Sequence, residues 1–448
     1  MRIAIVGGGA AGAIAAIHLL RNLKAGARID LFEPRSEIGR GIAYADEAGH
    51  FLLNVPVPAM FWTDAAGDDF GRWLDAQATD QTRWQETDGS AFLPRALFGS
   101  HLVQMLRLEA AKSEVAFHHH QCLVHHISPV DGGVRIHAGD LPEAGFTHAV
   151  IAIGNAPAAE IPQATEGEEG GPRVVQSAWD ISLARIAPGD RVVILGAGLT
   201  MADCLAELEA RGHHGPVTCV SRSGRSPRLS QGTIADFTPS APPGAGRASA
   251  FFRHFRIMVD ESLSQTGDWR PAFAFARRNS AQIWRQLNRQ EQARLRRHAR
   301  ALWDIHRYMM PPAAWRRMQA LETAGALTRV EGRALRIAAG GVVIRQAGGE
   351  QLIPADLVIN ATGFDNSYQT AAVPPGNLLD LTPAELAALP RRGLAVEDNG
   401  LMRIAANNGR IFAIGHLVRA DHGEMGTVNA FGAVARAMAL HLAQEQRS

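Results

Sequence analysis

A chain of 448 residues can hold two or three domains with cores of their own. Its formal net charge of +1 gives no bulk attraction to nucleic acid or to an anionic membrane, so we expect neither partner. A strand is predicted directly from Arg2, no apolar run approaches membrane-spanning length, and the three cysteines are widely separated. We therefore expect a cytoplasmic protein without a disulfide framework or a zinc site.

The first dozen residues predict a nucleotide-binding turn. Residues 2–6 form an apolar, β-branched run typical of a buried parallel strand, and residues 13–23 follow as a helix. Between them, Gly7, Gly9 and Gly12 have the spacing G-x-G-x-x-G. Gly7 permits a tight turn, Gly9 lets the backbone approach a pyrophosphate, and Gly12 lets the helix pack closely on the strand.

The residues around that turn complete the unit. Ala10 and Ala11 lie where unpaired N–H groups and the helix dipole attract phosphate. A second strand over residues 28–32 ends at Glu33, where a carboxylate can bind a ribose hydroxyl. Strand, turn, helix, strand and acid in this order predict a first dinucleotide site.

Residues 37–60 predict a structured loop beside that site, because glycines and prolines prevent a regular element. Loops in this position often carry function. Tyr44 and Asn54 are candidate contacts to a cofactor ring, with ordinary loop hydrogen bonding as the alternative. After the loop, residues 68–84 predict a helix, and a second helix ends near Lys112.

Residues 115–127 carry five histidines. The cluster suggests a metal site, but neighbouring side chains of a strand point to opposite faces, and no further ligand falls at a suitable spacing nearby. We therefore interpret the segment as a histidine-rich strand that crosses or edges a sheet. Two more predicted strands, residues 134–137 and 148–153, lead to Gly154, where the chain leaves the first domain.

A second nucleotide unit occupies residues 191–225. A buried strand leads to Gly196 and Gly198, which open another helix, although the third glycine of the motif is missing. The strand after this helix ends at Arg222 and Arg225 instead of at an acid. Arginine at this point favours the 2′-phosphate of NADPH, with NADH as the alternative.

Residues 250–325 predict a mainly helical insertion. Residues at helical spacing predict one long packed face, which consists of Trp284, Leu287, Glu291, Leu295, His298, Leu302 and Ile305. Arginines occupy the other faces. Nucleic-acid binding is the alternative to a solvated helix, and we favour the solvated helix in a chain this rich in arginine.

The last hundred residues predict a return to the first domain. Residues 352–359 form a strand before Gly363, and residues 411–414 form another before Gly415. The terminal helix from Thr427 can aim its N-terminal N–H groups at an anionic ring system. Titratable side chains gather in the turn before this helix, namely Asp421, His422 and Glu424.

Four short motifs indicate which family of nucleotide-binding proteins the chain resembles. They are Gly39-Arg-Gly-Ile-Ala-Tyr44, Leu52-Leu-Asn-Val-Pro56, Phe92-Leu-Pro-Arg95 and Gly196-Ala-Gly-Leu-Thr200. With two nucleotide units in one chain, they resemble the bacterial FAD-NAD(P)-binding protein family among the two-dinucleotide-binding-domain flavoproteins. That family is related to flavin-dependent N-hydroxylating monooxygenases and includes a type of FAD-dependent urate hydroxylase.

The resemblance implies an α/β fold with two Rossmann-like dinucleotide-binding domains, in which an NAD(P) domain with a helical insertion interrupts the FAD domain. The implied FAD domain comprises residues 1–160 and 351–448, and the NAD(P)H domain comprises residues 172–350. The candidate cofactor contacts are Gly7, Gly9, Ala10, Ala11, Gly12, Glu33, Arg40, Tyr44, Asn54, Leu123, Gly154, Gly196, Gly198, Leu199, Thr200, Ser221, Arg222, Arg225, Gly363, Gly415, His416, Gly426 and Thr427.

The activity that the resemblance implies is monooxygenation. NADPH would reduce FAD, and O₂ would then form a C4a-(hydro)peroxyflavin that hydroxylates a small nitrogenous molecule. No redox cysteine pair is present, which disfavours disulfide reduction. A flavin reductase or oxidase without oxygen insertion and a non-catalytic flavin-binding protein remain alternatives.

The substrate region is predicted at two loops, residues 53–60 and 419–427. Asn54, Asp421, His422 and Glu424 are the candidates for substrate binding or proton transfer. Many relatives place an aspartate after the last Ala-Ile-Gly to hold the flavin ribityl chain. This chain has His416 there, and the resemblance leaves its role open.

Overall fold

The computed structural model describes most of the chain. The described residues are 1–45, 49–63, 69–139, 144–156, 158, 160–161, 171–232, 234–241, 246–364, 378–379, 381–389, 393–403, 409–419 and 427–448. The strands are β1 Arg2–Val6, β2 Arg28–Phe32, β3 Ala116–His120, β4 Val124–Val130, β5 Gly133–Ala138, β6 Ala144–Phe146, β7 His148–Ile151, β8 Arg173–Val175, β9 Val192–Leu195, β10 Val217–Ser221, β11 Leu327–Glu331, β12 Arg333–Ala338, β13 Gly341–Gln346, β14 Gly349–Pro354, β15 Leu357–Asn360 and β16 Ile411–Ala413.

The helices of the described residues include one long segment at each end of the chain. They are α1 Ala10–Asn22, α2 Asp69–Ala76, α3 Arg95–Lys112, α4 Leu199–Ala210, α5 Ala248–Thr266, α6 Arg270–Arg278, α7 Ser280–Arg285, α8 Arg289–Arg307, α9 Pro312–Thr323, α10 Pro383–Ala388 and α11 Val428–Glu445. Among the described residues, no helix is both long enough and apolar enough to span a bilayer.

Two parallel sheets organise the molecule. The first has the order β16-β7-β1-β2-β3 and the second the order β11-β10-β9-β15-β8. Helix α1 packs on both α3 and α11, so that the two ends of the chain meet on one face of the first sheet. The remaining strands form two small antiparallel sheets, β4-β5-β6 and β12-β13-β14.

The same backbone constraint occurs once in each parallel sheet. Gly7 has φ +101°, and a Cβ atom built there would lie 2.5 Å from the Ala152 carbonyl oxygen. Gly196 has φ +114°, and its Cβ atom would lie 2.2 Å from the Ala361 carbonyl oxygen. Only glycine satisfies both the dihedral angle and the close approach, so each turn keeps its strand against the neighbouring one.

The two units differ at the third glycine. A Cβ atom on Gly12 would lie 2.0 Å from the Gly7 carbonyl oxygen, so α1 lies directly against its own turn. The equivalent position in the second unit is Met201, which is fully buried. In the second unit, α4 therefore packs on its sheet through the Met201 side chain.

Several predicted elements need correction. The first helix begins at Ala10 rather than at residue 13, because Gly9 is already its N-cap. The helix predicted over residues 68–84 ends at Ala76, and only a short 3₁₀ turn, Thr82–Trp84, follows. The strand predicted over residues 352–359 is in fact β14 and β15, which belong to different sheets.

The position of β15 moves a domain boundary. β15 pairs with β8 and β9 of the second sheet, whereas β16 pairs with β7 of the first. The chain therefore returns to the first sheet after Asn360, not at residue 351. Sequence pattern cannot separate these cases, because both sheets use short apolar strands followed by Ala-x-Gly.

The predicted continuous face over residues 284–305 is also wrong. α7 ends at Arg285, and α8 begins at Arg289 after Asn288, whose side chain accepts a hydrogen bond from the Glu291 N–H group. His298 and Leu302 are consequently exposed, and the buried positions of α8 are Glu291, Ala299 and Arg307.

The histidine-rich segment forms two strands. β3 is the edge strand of the first sheet, which confirms the predicted edge position for its three histidines. The His120 Nε2 atom lies 2.6 Å from the carboxylate of the fully buried Asp30, and the His119 Nε2 atom lies 2.9 Å from the Glu33 carbonyl oxygen. These histidines therefore have structural partners within the sheet.

We expect Gly12→Ala to lower the free energy of unfolding by about 1–3 kcal/mol or more, because the clash is with backbone that cannot rotate away. Gly198→Ala is the control, since its Cβ atom would meet no heavy atom within 4 Å, and it should cost about 1 kcal/mol or less through weaker capping. Urea unfolding followed by tryptophan fluorescence measures both. Equal losses would show that the packing of α1 on its turn is not tight.

Candidate functional site

A cavity of about 1000 Å³ is lined by residues of both parallel-sheet units. Its walls come from the turn after β1, residues 53–61, the end of β7, the start of α4 and the start of α11. The predicted site residues that line it are Gly7, Gly9, Ala10, Ala11, Glu33, Arg40, Tyr44, Asn54, Gly154, Leu199, Thr200, Gly415, His416 and Thr427.

The glycine turn forms one wall. Gly9 has ordinary extended dihedral angles, and a Cβ atom there would meet only the Cα atom of Gly41, at 3.5 Å. No side chain caps α1, so its first N–H groups remain available to a ligand. Glu33 is buried and accepts hydrogen bonds from the Gly8 N–H group at 2.9 Å and the Arg35 N–H group at 3.1 Å.

Arg95 joins the loop to the second unit. Its Nε atom donates to the Leu52 carbonyl oxygen at 2.9 Å, and its guanidinium forms an ion pair with Asp203 of α4 at 3.0 Å. Its Nη2 atom also donates to Asn54 Oδ1 at 3.4 Å. Because Arg95 occupies the amide oxygen, the amide nitrogen of Asn54 is the group left to donate to a ligand.

His416 is a neutral histidine in the wall. Burial lowers its pKa to about 3, with a smaller contribution from the neighbouring Arg419 cation. Arg419 Nη2 lies 2.8 Å from His416 Nδ1, and because a guanidinium only donates, Nδ1 must be the acceptor. The proton of the neutral ring is therefore on Nε2, which makes His416 a hydrogen-bond donor.

Tyr44 and Arg40 are held by α3 and by Glu37 of the loop. The Tyr44 ring lies 5.1 Å from that of Phe98, and burial raises the pKa of its hydroxyl to about 12. The Arg40 Nε atom is 2.8 Å from the Glu37 carboxylate, and its Nη2 atom is 3.1 Å from Ser100 Oγ. Tyr44 both lines the cavity and packs on α3.

Other predicted site residues lie away from the cavity. Arg222 and Arg225 are exposed at the end of β10, and Leu123 is exposed just before β4. The predicted residues that do not line the cavity are Gly12, Leu123, Gly196, Gly198, Ser221, Arg222, Arg225 and Gly363. Asp421, His422, Glu424 and Gly426 lie outside the described residues.

A further wall was not predicted from the sequence. It consists of cavity-lining residues from the helical insertion and from the segment before it, namely Ser230, Gly232, Ile234, Arg270, Arg277, Arg307, Tyr308 and Met309. Asp203 and Asn155 were also missed, whereas Arg95 closes the Phe-Leu-Pro-Arg motif and could have been chosen on that basis. We call the first set the insertion wall.

The residues present fit a bound dinucleotide cofactor. Asn155 Oδ1 is buried in the cavity wall and has no hydrogen-bond partner among the described residues. Buried acceptors without a partner are rare, so a donor from a ligand is expected there. Gly9 and the uncapped start of α1 offer the open cradle that a pyrophosphate needs.

Comparison with known proteins agrees with this geometry. Residues 4–156 match the model of a family described as FAD-NAD(P)-binding. The match covers the first unit through β7 and confirms the predicted resemblance there. No protein with a curated description matches the chain in sequence.

Solved structures resemble the chain along its whole length. L-lysine 6-monooxygenase from Pseudomonas syringae is 17% identical, with a TM-score of 0.65 over 100% of this chain and 99% of that one. The reduced ornithine hydroxylase from Pseudomonas aeruginosa is 16% identical, with a TM-score of 0.64 over 99% and 98%. The ornithine N-hydroxylase from Kutzneria sp. 744 is 16% identical, with a TM-score of 0.62 over 100% and 99%. These similarities confirm the predicted fold class.

Gly9→Asp should abolish FAD binding, because its carboxylate would enter the space that a pyrophosphate must approach. The backbone at Gly9 tolerates a side chain, so circular dichroism should be unchanged. The ratio of flavin to protein absorbance in the purified variant measures the loss. A variant that keeps stoichiometric FAD would refute the assignment of the cofactor to this turn.

Proposed function

We propose that the protein is an FAD-dependent, NAD(P)H-consuming monooxygenase that hydroxylates a small nitrogenous molecule. The observation that carries this proposal is the insertion wall. Two nucleotide units would suffice for a flavin reductase. The cavity, however, extends past both units to the helical insertion and the segment before it. That extension provides a place for a substrate.

The comparisons support the same class. The three similar structures carry the names of a lysine monooxygenase and two ornithine hydroxylases, and the Kutzneria structure is described with reduced FAD, NADP⁺ and L-ornithine. Their similarity extends through the helical insertion, since it covers 99% or more of this chain. We assign FAD to the unit of β1 and NAD(P)H to the unit of β9.

Dithiol chemistry has no support in the described site. Cys204 of α4 and Cys219 of β10 are buried in the core of the second unit, and burial raises the pKa of both thiols, that of Cys219 to about 12. Neither these two nor Cys122 is among the cavity-lining residues. Three separate free thiols also favour a reducing compartment, and we place the protein in the cytoplasm.

The protein's own groups have definable roles. Bound FAD would supply hydride acceptance and oxygen activation. Asn54, fixed by Arg95, would donate from its amide nitrogen, and His416 would donate from Nε2 where relatives have an acceptor. Thr427 is the N-cap of α11, whose N-terminal N–H groups would stabilise negative charge on the ring system. Asp421, His422 and Glu424 remain candidates for proton transfer.

Oxygen-18 labelling tests the proposal. With NADPH and a panel of amines, amino acids and purines, we expect one substrate whose product carries one atom from ¹⁸O₂, together with a fall in hydrogen peroxide per NADPH oxidised. Peroxide release equal to NADPH oxidation with every compound would favour an oxidase. Absence of NADPH oxidation by the FAD-bound protein would favour a non-catalytic role.

Arg222→Ala and Arg225→Ala should raise the KM for NADPH about tenfold or more, because a charge-assisted contact to phosphate contributes roughly 1.5–3 kcal/mol. The KM for NADH should change little, which makes NADH the internal control. Steady-state kinetics with both cofactors measures the effect. Equal losses with NADPH and NADH would mean that these arginines serve the fold or the shared pyrophosphate.

A further inference from the structure

Helix α4 of the second unit directs two acidic side chains at the first unit. Asp203 and Glu207 are four residues apart on this helix, which is about one turn, so they lie on the same face. The Asp203 carboxylate pairs with Arg95 of α3, and the Glu207 carboxylate lies 3.0 Å from the Nδ1 atom of His50 in the loop. The second unit therefore contacts the first at two successive turns of α4.

Asp203 and Arg95 meet through two parallel contacts. Arg95 Nη1 lies 3.0 Å from Asp203 Oδ2, and Arg95 Nη2 donates to Asp203 Oδ1 at 3.1 Å. A pair of this kind fixes the plane of the guanidinium as well as its position. Only 7% of the Arg95 side chain and 15% of the Asp203 side chain are exposed, so water competes little for these contacts.

The nitrogen that contacts Asp203 also reaches Asn54. Arg95 Nη2 donates to Asn54 Oδ1 at 3.4 Å, and because a guanidinium accepts no hydrogen bond, the amide oxygen must face it. Asn54 lines the cavity, and its amide nitrogen is the group that can donate there. A half-turn of the amide would exchange its oxygen and nitrogen. The direction of this donor therefore depends on where Arg95 Nη2 is held.

We propose that Asp203 is a positioning residue for the flavin. Acting through Arg95, it keeps the amide nitrogen of Asn54 directed into the cavity, as a hydrogen-bond donor to the ring system of bound FAD. A donor stabilises that ring system more strongly when the flavin is reduced and negatively charged, so it raises the reduction potential. The inference rests on the proposed function only in the assignment of FAD to the unit of β1.

An amide in place of the Asp203 carboxylate would not hold the guanidinium in the same way. In Asp203→Asn, one oxygen acceptor becomes an NH₂ group, which cannot accept from an Arg95 N–H group. One of the two parallel contacts is lost, Arg95 can turn, and the Asn54 amide loses its fixed direction. We expect reduced flavin to bind about tenfold more weakly relative to oxidised flavin, which lowers the two-electron reduction potential by about 30 mV.

Redox titration of the FAD-loaded protein, followed by flavin absorbance, measures this potential in a double-mutant cycle with Asn54→Ala. Asn54→Ala should lower the potential by a similar amount, and Asp203→Asn should cause no further fall in that background. The sign separates this effect from a direct effect of charge. Removing a negative charge near the flavin would favour the reduced anion and would raise the potential in both backgrounds.

Glu207→Gln is the matched control, because it removes the same charge from the same face of α4. Glu207 contacts His50 and Arg211 and does not line the cavity, so this variant should not lower the potential. Asp203→Glu keeps the charge but moves the carboxylate by one methylene group, and it should lower the potential as Asp203→Asn does. Should Asp203→Asn fail to fold, Asp203→Glu decides the question.

The positioning role is refuted if the Asp203 variants leave the potential unchanged or raise it, if they lower it equally in the Asn54→Ala background, or if Glu207→Gln lowers it as much. A protein that binds no FAD would refute it together with the cofactor assignment. The potential can be measured whether the flavin inserts oxygen or only reduces it. A fall that depends on Asn54 without ¹⁸O incorporation would uphold the positioning role and reject the monooxygenase. Incorporation of ¹⁸O with an unchanged potential would do the reverse.

Discussion

The site depends on the environment of one buried cation. Arg95 is 6% exposed, and its guanidinium contacts the loop at Leu52 and Asn54 and the second unit at Asp203. Two rings, Phe51 and Trp179, lie about it, with centroids 6.0 and 5.8 Å from its carbon. A buried charge must be paired, so the loop, α3 and α4 are held in mutual register by the same requirement. The shape of the cavity and the direction of the Asn54 amide both follow.

Local sequence signals predicted the parts of the fold in which the backbone itself is constrained. Gly7 and Gly196 mark their turns because a positive φ and a carbonyl at less than 3 Å exclude every other residue. Long-range pairing left no such mark. The segment at 352–359 has apolar residues both before Ala355 and after Asp356, and only the pairing of β15 with β9 shows which sheet its second half joins. Leu302 is a second residue whose burial the sequence pattern could not predict. The chain breaks at Asn288, the N-cap of α8, so α8 buries a different face from the one that a continuous helix would bury, and Leu302 is exposed.

The candidate site shows the same difference between local sequence signals, which predict residues, and long-range packing, which leaves no signal. The cavity-lining residues near the first glycine turn were predictable, since they belong to one short motif. The insertion wall was not predictable, because its arginines come from two separate helices and lie within a chain whose basic residues are nearly all arginine. His416 was visible as a departure from relatives, but its protonation state depends on burial and on Arg419, which only the folded arrangement supplies.

Phe51 belongs by sequence to the loop of the first unit, yet it packs in the core of the second unit with Ile181, Met201 and Leu205. A rigid rotation of one unit against the other would pull this ring out of its core and into water. Exposing a buried phenylalanine costs roughly 2–3 kcal/mol, which by this contact alone limits a swung-open arrangement to between about one molecule in thirty and one in 140. The same contact couples the two units in unfolding, so they should melt as one cooperative body rather than in succession.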